Sequence, residues 1–286
     1  MPQNRGQTPS GNSAQSLLWG LTPFLFGVAL AVTGWCAAPS ADAAPATINH
    51  SAWEDLLWQF VEAGAVDYEG LQTERQTLDA YVASLAEVDL KRLASTKEQL
   101  AFWINAYNAC VVQAVLDHYP VKSVKDIPGF FDKQRHRVAG KSLTLNQVEE
   151  QGRLLKDWRI HMAVVCAASS CPPLRSEAYV ADRLDEQLAD QARQFLAGPS
   201  RGFRVDRDGG ILWLSKIVKW YATDFVSTGP LTAQTILPVI APSLDPSVAQ
   251  AVREQRFTLK FLDYDWTLNR RPSVSQPPAS SQAASP

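Results

Sequence analysis

One helix pattern constrains the fold more than any other feature of the chain. From Lys97 to Tyr119, apolar side chains recur at the three- and four-residue spacing of a helix face. The residues on this face are Leu100, Trp103, Ile104, Tyr107, Val111, Ala114 and Val115. Pro120 ends the pattern, because proline has no backbone N–H to donate and its ring clashes with the preceding turn. The sequence therefore predicts one long helix that is buried along this face.

Shorter patterns before and after this helix predict further helices and strands. Apolar residues at helical spacing predict helices from Trp53 to Val61 and from Leu78 to Ala86, and Asp182 opens another. Short apolar runs bounded by turn residues predict strands. These runs are Arg159 to Cys166, His136 to Val138, Phe203 to Val205, Ile211 to Leu214 and Phe257 to Leu262. The expected fold class is α+β, a single domain of helices packed on a small, mostly antiparallel sheet.

The balance of charge excludes one class of partner. The chain has 27 Lys and Arg residues against 29 Asp and Glu residues, a net charge of -2, so it carries no basic footprint for nucleic acid. The sequence also contains no glycine-rich phosphate loop and no C-x-x-C-H haem motif. We therefore expect no nucleic-acid partner, no cofactor and no metal.

The first 43 residues have the layout of a secretory signal. No charged side chain interrupts the apolar stretch from Leu17 to Trp35, and Ala41 and Ala43 supply the small residues of a signal-peptidase site. We expect cleavage after Ala43 and a periplasmic or secreted protein. The alternative is an uncleaved signal that anchors the protein, which would then contact the membrane through this segment alone.

This reading divides the chain into three parts. Residues 1–43 are the signal peptide, residues 44–272 are the α+β domain, and residues 273–286 are a Pro/Ser/Ala-rich tail whose composition is typical of disorder. A lipoprotein cleavage site needs a small residue before its cysteine, and Trp35 is too bulky for that position. We therefore expect Cys36 to be removed with the signal peptide. Three cysteines then remain, Cys110, Cys166 and Cys171, and at most two of them pair within one chain.

Cys171 lies where a thiol is expected to be reactive. It is followed by two prolines that stiffen the chain, and it comes ten residues after His161. A helix dipole and a nearby imidazole lower the pKa of a thiol. A thiolate beside a histidine, with a carboxylate or amide orienting the ring, is the minimum for covalent acyl transfer. The candidate catalytic residues are therefore Cys171 and His161, and the candidate orienting residues are Asn105, Asn108 and Glu149.

The same residues also fit structural roles, and the residue pattern leaves these open. Cys166 and Cys171 fit a structural disulfide in an oxidising compartment. Cys166 also fits a small buried side chain, and His161 a hydrogen-bonded core histidine. A metal site formed by these three residues has the wrong spacing for a zinc knuckle. Glu149 fits a carboxylate at a helix start, and Cys110 is expected in the core.

Polar and aromatic residues on the long helix fit either a role in the site or a structural role. Asn105 and Asn108 lie on its apolar side, where an unpaired amide costs roughly 1–3 kcal/mol. Together with Trp103 and Tyr107 they are candidates for binding substrate or orienting His161. The alternative, which we favour for the two amides, is that they tie a neighbouring loop to the helix. The tryptophans are spread over separate elements and are expected in the core rather than in a sugar-stacking platform.

Several segments of the sequence resemble the DUF547 family. The long ones are Ala101 to Asn108, which reads Ala-Phe-Trp-Ile-Asn-Ala-Tyr-Asn, Ser142 to Glu149, and His161 to Leu174, which contains Ser-Ser-Cys-Pro-Pro. Shorter ones are Leu214 to Ile217, Trp220 to Phe225 and Tyr264 to Asn269. The resemblance spans roughly Trp53 to Asn269. It implies that Asn105, Asn108, Glu149, His161 and Cys171 occur together as a signature. It implies no activity, because the family name declares an unknown function.

These residues predict an exported protein that acts as a thiol-dependent hydrolase or acyl transferase on an envelope peptide or amide. Cys171 is the expected nucleophile, His161 the base, and Glu149 or Asn105 the orienting group. Backbone amides after the Ser-Ser turn are expected to stabilise an oxyanion.

Two other functions fit the same pair of cysteines. A non-catalytic envelope module that binds a partner protein or glycan would hold Cys166 and Cys171 in a stable disulfide. A redox protein would cycle that pair between disulfide and dithiol. The expected partner is a small peptide, an amide or an envelope protein.

Overall fold

Helices dominate the part of the chain that the computed structural model describes, residues 48–253 and 255–272. The helices are α1 (Ser51–Phe60), α2 (Tyr68–Leu71), α3 (Arg75–Ala86), α4 (Thr96–Leu116), α5 (Leu145–Arg153), α6 (Ile160–Ala163), α7 (Leu184–Leu196), α8 (Lys216–Trp220), α9 (Ala222–Phe225), α10 (Ala233–Ile240) and α11 (Pro246–Arg253). The strands are β1 (Val61–Glu62), β2 (Ala65–Val66), β3 (His136–Val138), β4 (Lys141–Leu143), β5 (Phe203–Asp206), β6 (Ile211–Leu214) and β7 (Thr258–Phe261). The α+β class is confirmed.

The two ends of the chain fall outside this account. The signal peptide, Cys36 and the tail expected at residues 273–286 lie outside the described residues. None of the helices in the described ranges combines the length and the apolar character that a membrane crossing requires.

The long helix α4 lies at the centre of the fold. A reciprocal capping box between Ser95 and Glu98 starts it, and it ends at Leu116, three residues before the predicted end. Of its 21 residues, 16 are buried, so other elements enclose it on every side rather than along one face. Helices α3 and α5 pack against it directly.

The strands form three small sheets instead of one. β1 pairs with β2 and β3 with β4, both antiparallel, and the third sheet has the order β5-β6-β7. In that sheet β5 and β6 form an antiparallel hairpin, whereas β7 runs parallel to β6, with Phe261 opposite Leu214. The mostly antiparallel character is therefore confirmed.

The strand predicted from Arg159 to Cys166 is wrong. The segment forms the short helix α6 and then an extended stretch that joins no sheet. Asp157 starts the helix, because its side chain accepts a hydrogen bond from the Arg159 N–H at 2.9 Å and its carbonyl accepts one from the Ile160 N–H at 3.1 Å. A short apolar run alone does not separate helix from strand.

The chain before α1 differs from the prediction. The sequence predicts a linker over residues 44–52, but α1 already begins within that range, at Ser51. His50, which the sequence places in this linker and predicts to be solvated, is buried, and its Nδ1 lies 2.7 Å from the Tyr81 hydroxyl. The sequence also predicts a solvated His118 near the end of the long helix, and this residue is exposed.

Two hydrophobic clusters meet at α6. The first surrounds α4, and the second is built from α7, α10 and the sheet β5-β6-β7. Ile160 and Ala163 belong to the first cluster and Met162 belongs to the second. His161 lies between them, at the junction of the two clusters.

The last described residues hold the loop that follows α6. In this C-terminal segment, residues 264–269, the Thr267 carbonyl accepts a hydrogen bond from the Ser169 N–H at 2.7 Å. The Asn269 N–H donates to the Ala167 carbonyl at 3.0 Å. Ala167 has a φ of 61°, a left-handed conformation that a non-glycine residue adopts only when its surroundings hold it. The loop and the C-terminal segment therefore form one unit.

Candidate functional site

A cavity of about 170 Å³ brings most of the sequence-predicted site residues together. Six aromatic side chains line it: Tyr107, Phe131, Trp220, Tyr221, Tyr264 and Trp266. Its polar and sulfur-containing lining residues are Asn146, Glu149, His161, Cys166 and Cys171. Of the residues that the sequence singled out, Tyr107, Glu149, His161 and both cysteines lie at this cavity, whereas Trp103, Asn105 and Asn108 do not.

One ring nitrogen of His161 is hydrogen-bonded, and the other has no partner among the described residues. Helix α6 leaves 1% of its surface exposed, and the rings of Tyr221 and Phe225 stack on it with centroids at 4.2 and 5.4 Å. Its Nε2 lies 2.8 Å from Oδ2 of Asp224. Its Nδ1 is buried and has no hydrogen-bond partner among the described residues. Burial lowers the pKa of His161 to about 4, and the bond to Asp224 offsets only part of that effect, so the ring is neutral at pH 7.

Asp224 determines which nitrogen of that ring carries the proton. Arg153 donates to both carboxylate oxygens, at 2.6 Å to Oδ2 and 3.2 Å to Oδ1. Burial acts to raise the pKa of Asp224, but hydrogen bonds from Arg153 and His161 outweigh it and hold that pKa below its ordinary value. An ionised carboxylate can only accept, so Nε2 of His161 donates and Nδ1 keeps its lone pair. The cavity therefore contains a neutral imidazole with a free basic nitrogen.

Glu149 faces that free nitrogen. Helix α5 places its Oε1 at 3.8 Å from Nδ1 of His161, which is too long for a hydrogen bond. The Glu149 side chain is 8% exposed. Burial raises the pKa of its carboxyl, and a hydrogen bond from the Tyr221 hydroxyl opposes the shift in part. Glu149 is thus a desolvated carboxyl beside, and not bonded to, the histidine.

Cys166 and Cys171 form a disulfide at the cavity. The backbone N–H of Cys166 donates to Sγ of Cys171 at 2.8 Å. The Tyr264 hydroxyl lies 3.1 Å from Sγ of Cys166 and 3.3 Å from Sγ of Cys171. Cys171 is 3% exposed, whereas Cys166 is half-buried. Two donors therefore converge on the sulfur of Cys171, and donors of this kind stabilise a thiolate.

The backbone amides after the Ser-Ser turn do not form the oxyanion site that the sequence predicts. The N–H groups of Ser169, Ser170 and Cys171 donate instead to carbonyl oxygens at 2.7, 3.1 and 3.0 Å. Two of these carbonyls belong to the C-terminal segment. Because each of these N–H groups is already bonded, the donors beside the sulfur of Cys171 are the Cys166 N–H and the Tyr264 hydroxyl.

Asn105 and Asn108 bind backbone. Asn105 donates to the Tyr179 carbonyl at 2.7 Å and accepts from the Tyr179 N–H at 3.0 Å. Asn108 donates to the Ala163 carbonyl at 3.0 Å and accepts from the Val165 N–H at 2.8 Å. Both amides are thereby satisfied, as the loop-tying alternative expects. Asn108 fixes the chain between His161 and Cys166 and so acts on the cavity indirectly.

Of the remaining residues considered from the sequence, Trp103 and Cys110 lie in the core, and Trp220 and Trp266 lie at the cavity. Trp103 is buried against Phe102 in the first cluster, with centroids 5.0 Å apart. Cys110 is a fully buried free thiol, and burial raises its pKa to about 12. Trp220 and Trp266, expected in the core, instead stack on each other at the cavity with centroids 5.9 Å apart, and Trp220 is 48% exposed.

Three residues that complete the site were missed as functional residues. Asp224 contacts His161, Arg153 contacts Asp224, and Tyr264 contacts the sulfurs of Cys166 and Cys171. Asp224 and Tyr264 lie within segments that resemble DUF547, and that membership was the available signal. Arg153 carried no signal, because its partner Asp224 is 71 residues away.

The described residues offer no metal site. Throughout residues 48–253 and 255–272, no three His, Cys, Asp or Glu side chains are grouped so that they could hold a metal ion.

Comparison with known proteins identifies one segment of the chain. Residues 90–196 match the model of the family described as "Protein of unknown function, DUF547". No curated protein and no solved structure matches the chain. The matched segment contains α4 to α7 with Glu149, His161 and both cavity cysteines, whereas Asp224 and Tyr264 lie beyond it. The resemblance is therefore confirmed over residues 90–196.

Proposed function

We propose that this chain is a thiol-dependent hydrolase or acyl transferase that acts on a peptide or amide of the cell envelope. Cys171 is its nucleophile and His161 its base. One observation carries the proposal: a single cavity is lined by the sulfur of Cys171 and by a neutral His161 whose free Nδ1 is left available by the bond between Nε2 and Asp224. Asp224 takes the orienting role that the sequence assigned to Glu149 or Asn105.

The reaction begins with the disulfide. A dithiol reductant passes two electrons to Cys166–Cys171 and is itself oxidised to a disulfide, which leaves two thiols at the cavity. His161 then takes the Cys171 proton. The thiolate attacks the carbonyl carbon of the amide, the C–S bond forms, the C–N bond breaks, and the leaving amine takes the proton from His161.

The second half of the reaction regenerates the thiolate. Water attacks the thioester carbon and gives one proton to His161, the new C–O bond forms and the C–S bond breaks. If an amine attacks instead, the acyl group is transferred to that amine. The Tyr264 hydroxyl, 3.3 Å from Sγ of Cys171, is the donor placed to stabilise the oxyanion.

The disulfide itself favours a second candidate function, an envelope binding module without catalysis. In that module the Cys166–Cys171 bond is structural and the aromatic cavity is the binding site. The two functions differ in one measurable property, because catalysis requires a reactive Cys171 thiol and binding does not.

Matched cysteine variants separate the two functions. Cys166→Ser and Cys171→Ser both remove the disulfide, but only the first keeps the proposed nucleophile. We expect purified Cys166→Ser to hydrolyse p-nitrophenyl acetate and acyl amides without added reductant, wild type to need a dithiol, and Cys171→Ser to be at least a hundredfold slower with or without it. Cys110→Ala, which removes the buried thiol outside the cavity, serves as the control. Equal activity in the two serine variants would overturn the proposed nucleophile.

Thiol labelling tests the same proposal without a substrate. An ordinary cysteine with a pKa near 8.5 is well under 1% thiolate at pH 6. We expect iodoacetamide at pH 6 to label Cys171 of the reduced protein at least tenfold faster than a free cysteine, with peptide mapping to identify the site. His161→Gln should abolish the difference. A disulfide that resists mild reduction would leave the binding module as the function.

Export is part of the proposal. It is supported by the layout of residues 1–43, and the measurement is the mass of the mature protein isolated from the cell envelope. A chain that begins at residue 44 is expected, and a full-length chain in the cytosolic fraction would contradict it.

A further inference from the structure

A buried nitrogen without a donor faces a buried carboxyl group across the cavity. Nδ1 of His161 keeps its lone pair, because Nε2 carries the proton that is shared with Asp224. Oε1 of Glu149 lies 3.8 Å from that nitrogen. A single N–H-bearing nitrogen placed about 2.9 Å from each atom would bond to both, since two hydrogen bonds of that length span an acceptor separation of 3.8 Å. Nδ1 of His161 therefore faces the cavity without the donor that a buried acceptor requires, and the described chain does not supply one.

The charges around the two acceptors point to a donor that is also a cation. Arg153 places its guanidinium on Asp224, so these two charges compensate each other. The Glu149 carboxylate has no Lys or Arg within ion-pair distance among the described residues. Arg153 acts on it from a longer distance and is itself paired with Asp224, and the nearby His161 is neutral. A buried carboxylate without a positive partner is costly. A ligand that brings one positive charge removes that cost.

The walls of the cavity suit a cation as well. The rings of Trp220, Tyr264 and Trp266 pack at centroid distances of 4.7 to 5.9 Å and are inclined to each other by 26° to 55°. Cations of the chain already lie on rings of this lining: Lys125 Nζ is 4.9 Å from the Trp266 centroid and the Arg153 guanidinium is 4.8 Å from that of Tyr221. Aromatic walls of this kind attract ammonium groups through their negative faces.

We infer that this cavity binds a primary ammonium group, with Glu149 and Nδ1 of His161 accepting its N–H bonds and the aromatic side chains surrounding its carbon chain. A volume of about 170 Å³ holds an ammonium group and its first few carbons. The rest of the ligand leaves past Trp220, which is half exposed.

The inference deepens the proposed function, and this part of it rests on that function. In acyl transfer the bound amine is the group that leaves the substrate amide or that attacks the thioester. Binding of the amine itself requires no catalysis, so the two can fail separately.

Binding of small amines to the wild-type protein tests the inference directly. n-Propylammonium is the probe, 1-butanol is its neutral counterpart, and tetramethylammonium is a cation without N–H. Titration is followed by tryptophan fluorescence, because Trp220 and Trp266 line the cavity. We expect n-propylammonium to bind with a Kd in the millimolar range and at least tenfold more tightly than either of the other two. Equal binding of 1-butanol, equal binding of tetramethylammonium, or no saturation by n-propylammonium would each overturn the inference.

Neighbouring glutamates supply a matched pair of variants. Glu149→Gln removes the buried acceptor charge, and Glu150→Gln removes the same charge from the exposed residue next to it. We expect the first variant to bind n-propylammonium at least tenfold more weakly and the second to bind as wild type does. Equal binding by the two variants would contradict the role of Glu149.

A measurement on the wild-type protein tests the inference even if the Glu149→Gln variant does not fold. In ¹⁵N-histidine-labelled protein, a new hydrogen bond to Nδ1 of His161 shifts that resonance upfield when n-propylammonium is added, and an unchanged resonance would contradict the inference. Comparing glycinamide with Nα-acetyl-lysine then shows whether the ammonium group comes from a chain terminus or from a lysine side chain.

Discussion

Nε2 of His161 and Oδ2 of Asp224 lie 2.8 Å apart, although 63 residues separate the two in sequence. Helix α6 holds the histidine and α9 holds the aspartate. Arg153 on α5 binds the same carboxylate, so three helices fix one imidazole in one tautomer. The free nitrogen at the cavity is the product of that arrangement.

Replacing Asp224 by asparagine is expected to reverse the tautomer. The amide of Asp224→Asn can donate to Nε2, which moves the proton to Nδ1 and removes the basic lone pair from the cavity. Iodoacetamide labelling of Cys171 in the reduced protein should fall at least tenfold. Asp263→Asn, which removes a charge from a fully exposed aspartate, should label at the wild-type rate. Unchanged labelling in Asp224→Asn would show that the bond does not activate the site.

Removing the side-chain amide of Asn108 is expected to loosen the cavity. Asn108→Ala leaves the Ala163 carbonyl and the Val165 N–H without their partner, at roughly 1–3 kcal/mol for each group. Asn105→Ala deprives the Tyr179 backbone of two equivalent bonds and should cost a similar free energy of unfolding in urea. Only Asn108→Ala should also change the rate at which the Cys166–Cys171 disulfide is reduced. A change of equal size in both variants would assign the effect to stability alone.

The stability of the protein is expected to fall as the pH drops from 6.5 to about 4. His161 has a pKa of about 4 in the folded protein against 6.5 in the unfolded chain, so in this window the unfolded chain binds a proton that the folded protein does not. Its contribution is present above pH 6.5 and is lost, up to about 3 kcal/mol, as the pH falls. His50 shifts in the same direction, also to about 4, whereas the raised pKa of Glu149 acts with the opposite sign.

Urea unfolding at pH 7, 5.5 and 4.5 measures that loss. His161→Gln should show a clearly shallower dependence on pH, with the His50 contribution remaining. Identical slopes for wild type and His161→Gln would contradict the burial argument for His161.

Gly152 is expected to set the distance between α5 and α6. A Cβ at this position would lie 2.4 Å from Cδ1 of Ile160 and 3.4 Å from Cβ of Trp103. Gly152→Ala requires only the tip of Ile160 to move and gains helix propensity, so its free energy of unfolding should stay within about 1 kcal/mol of wild type. Gly152→Val should cost roughly 1–3 kcal/mol more through overpacking. Equal stability of both variants in urea would show that the contact is not tight.

Much of the architecture was predictable because local patterns determine it. The apolar spacing of α4, the caps at Ser95 and Thr144 and the glycine turn between β5 and β6 all act over a few residues. The strand predicted for Arg159 to Cys166 was wrong because the local pattern there does not distinguish a helix from a strand. Its apolar run fits both periods, and the hydrogen bonds that Asp157 accepts from the N–H groups of Arg159 and Ile160 form the turn that leads into the helix.

The site was only half predictable, because half of it depends on contacts across the fold. Glu149, His161 and Cys171 have residue types that suggest chemistry wherever they occur. Asp224 and Tyr264 become part of the site only through tertiary packing, and no spacing rule places them beside His161 or the sulfurs. The oxyanion site predicted from the amides after the Ser-Ser turn failed because the Cys171 N–H donates to the Ala168 carbonyl. The amides of the turn itself bind carbonyls about a hundred residues later.

The fixing of the Cys166–Cys171 loop by residues 264–269 has a consequence for fragments of this protein. The recognised segment, residues 90–196, stops before Asp224, Tyr264 and Trp266, so an excised fragment with those limits would lack the residue that orients the histidine and part of the aromatic wall. The boundaries at which sequences of this kind are recognised are therefore not the boundaries within which the site can assemble.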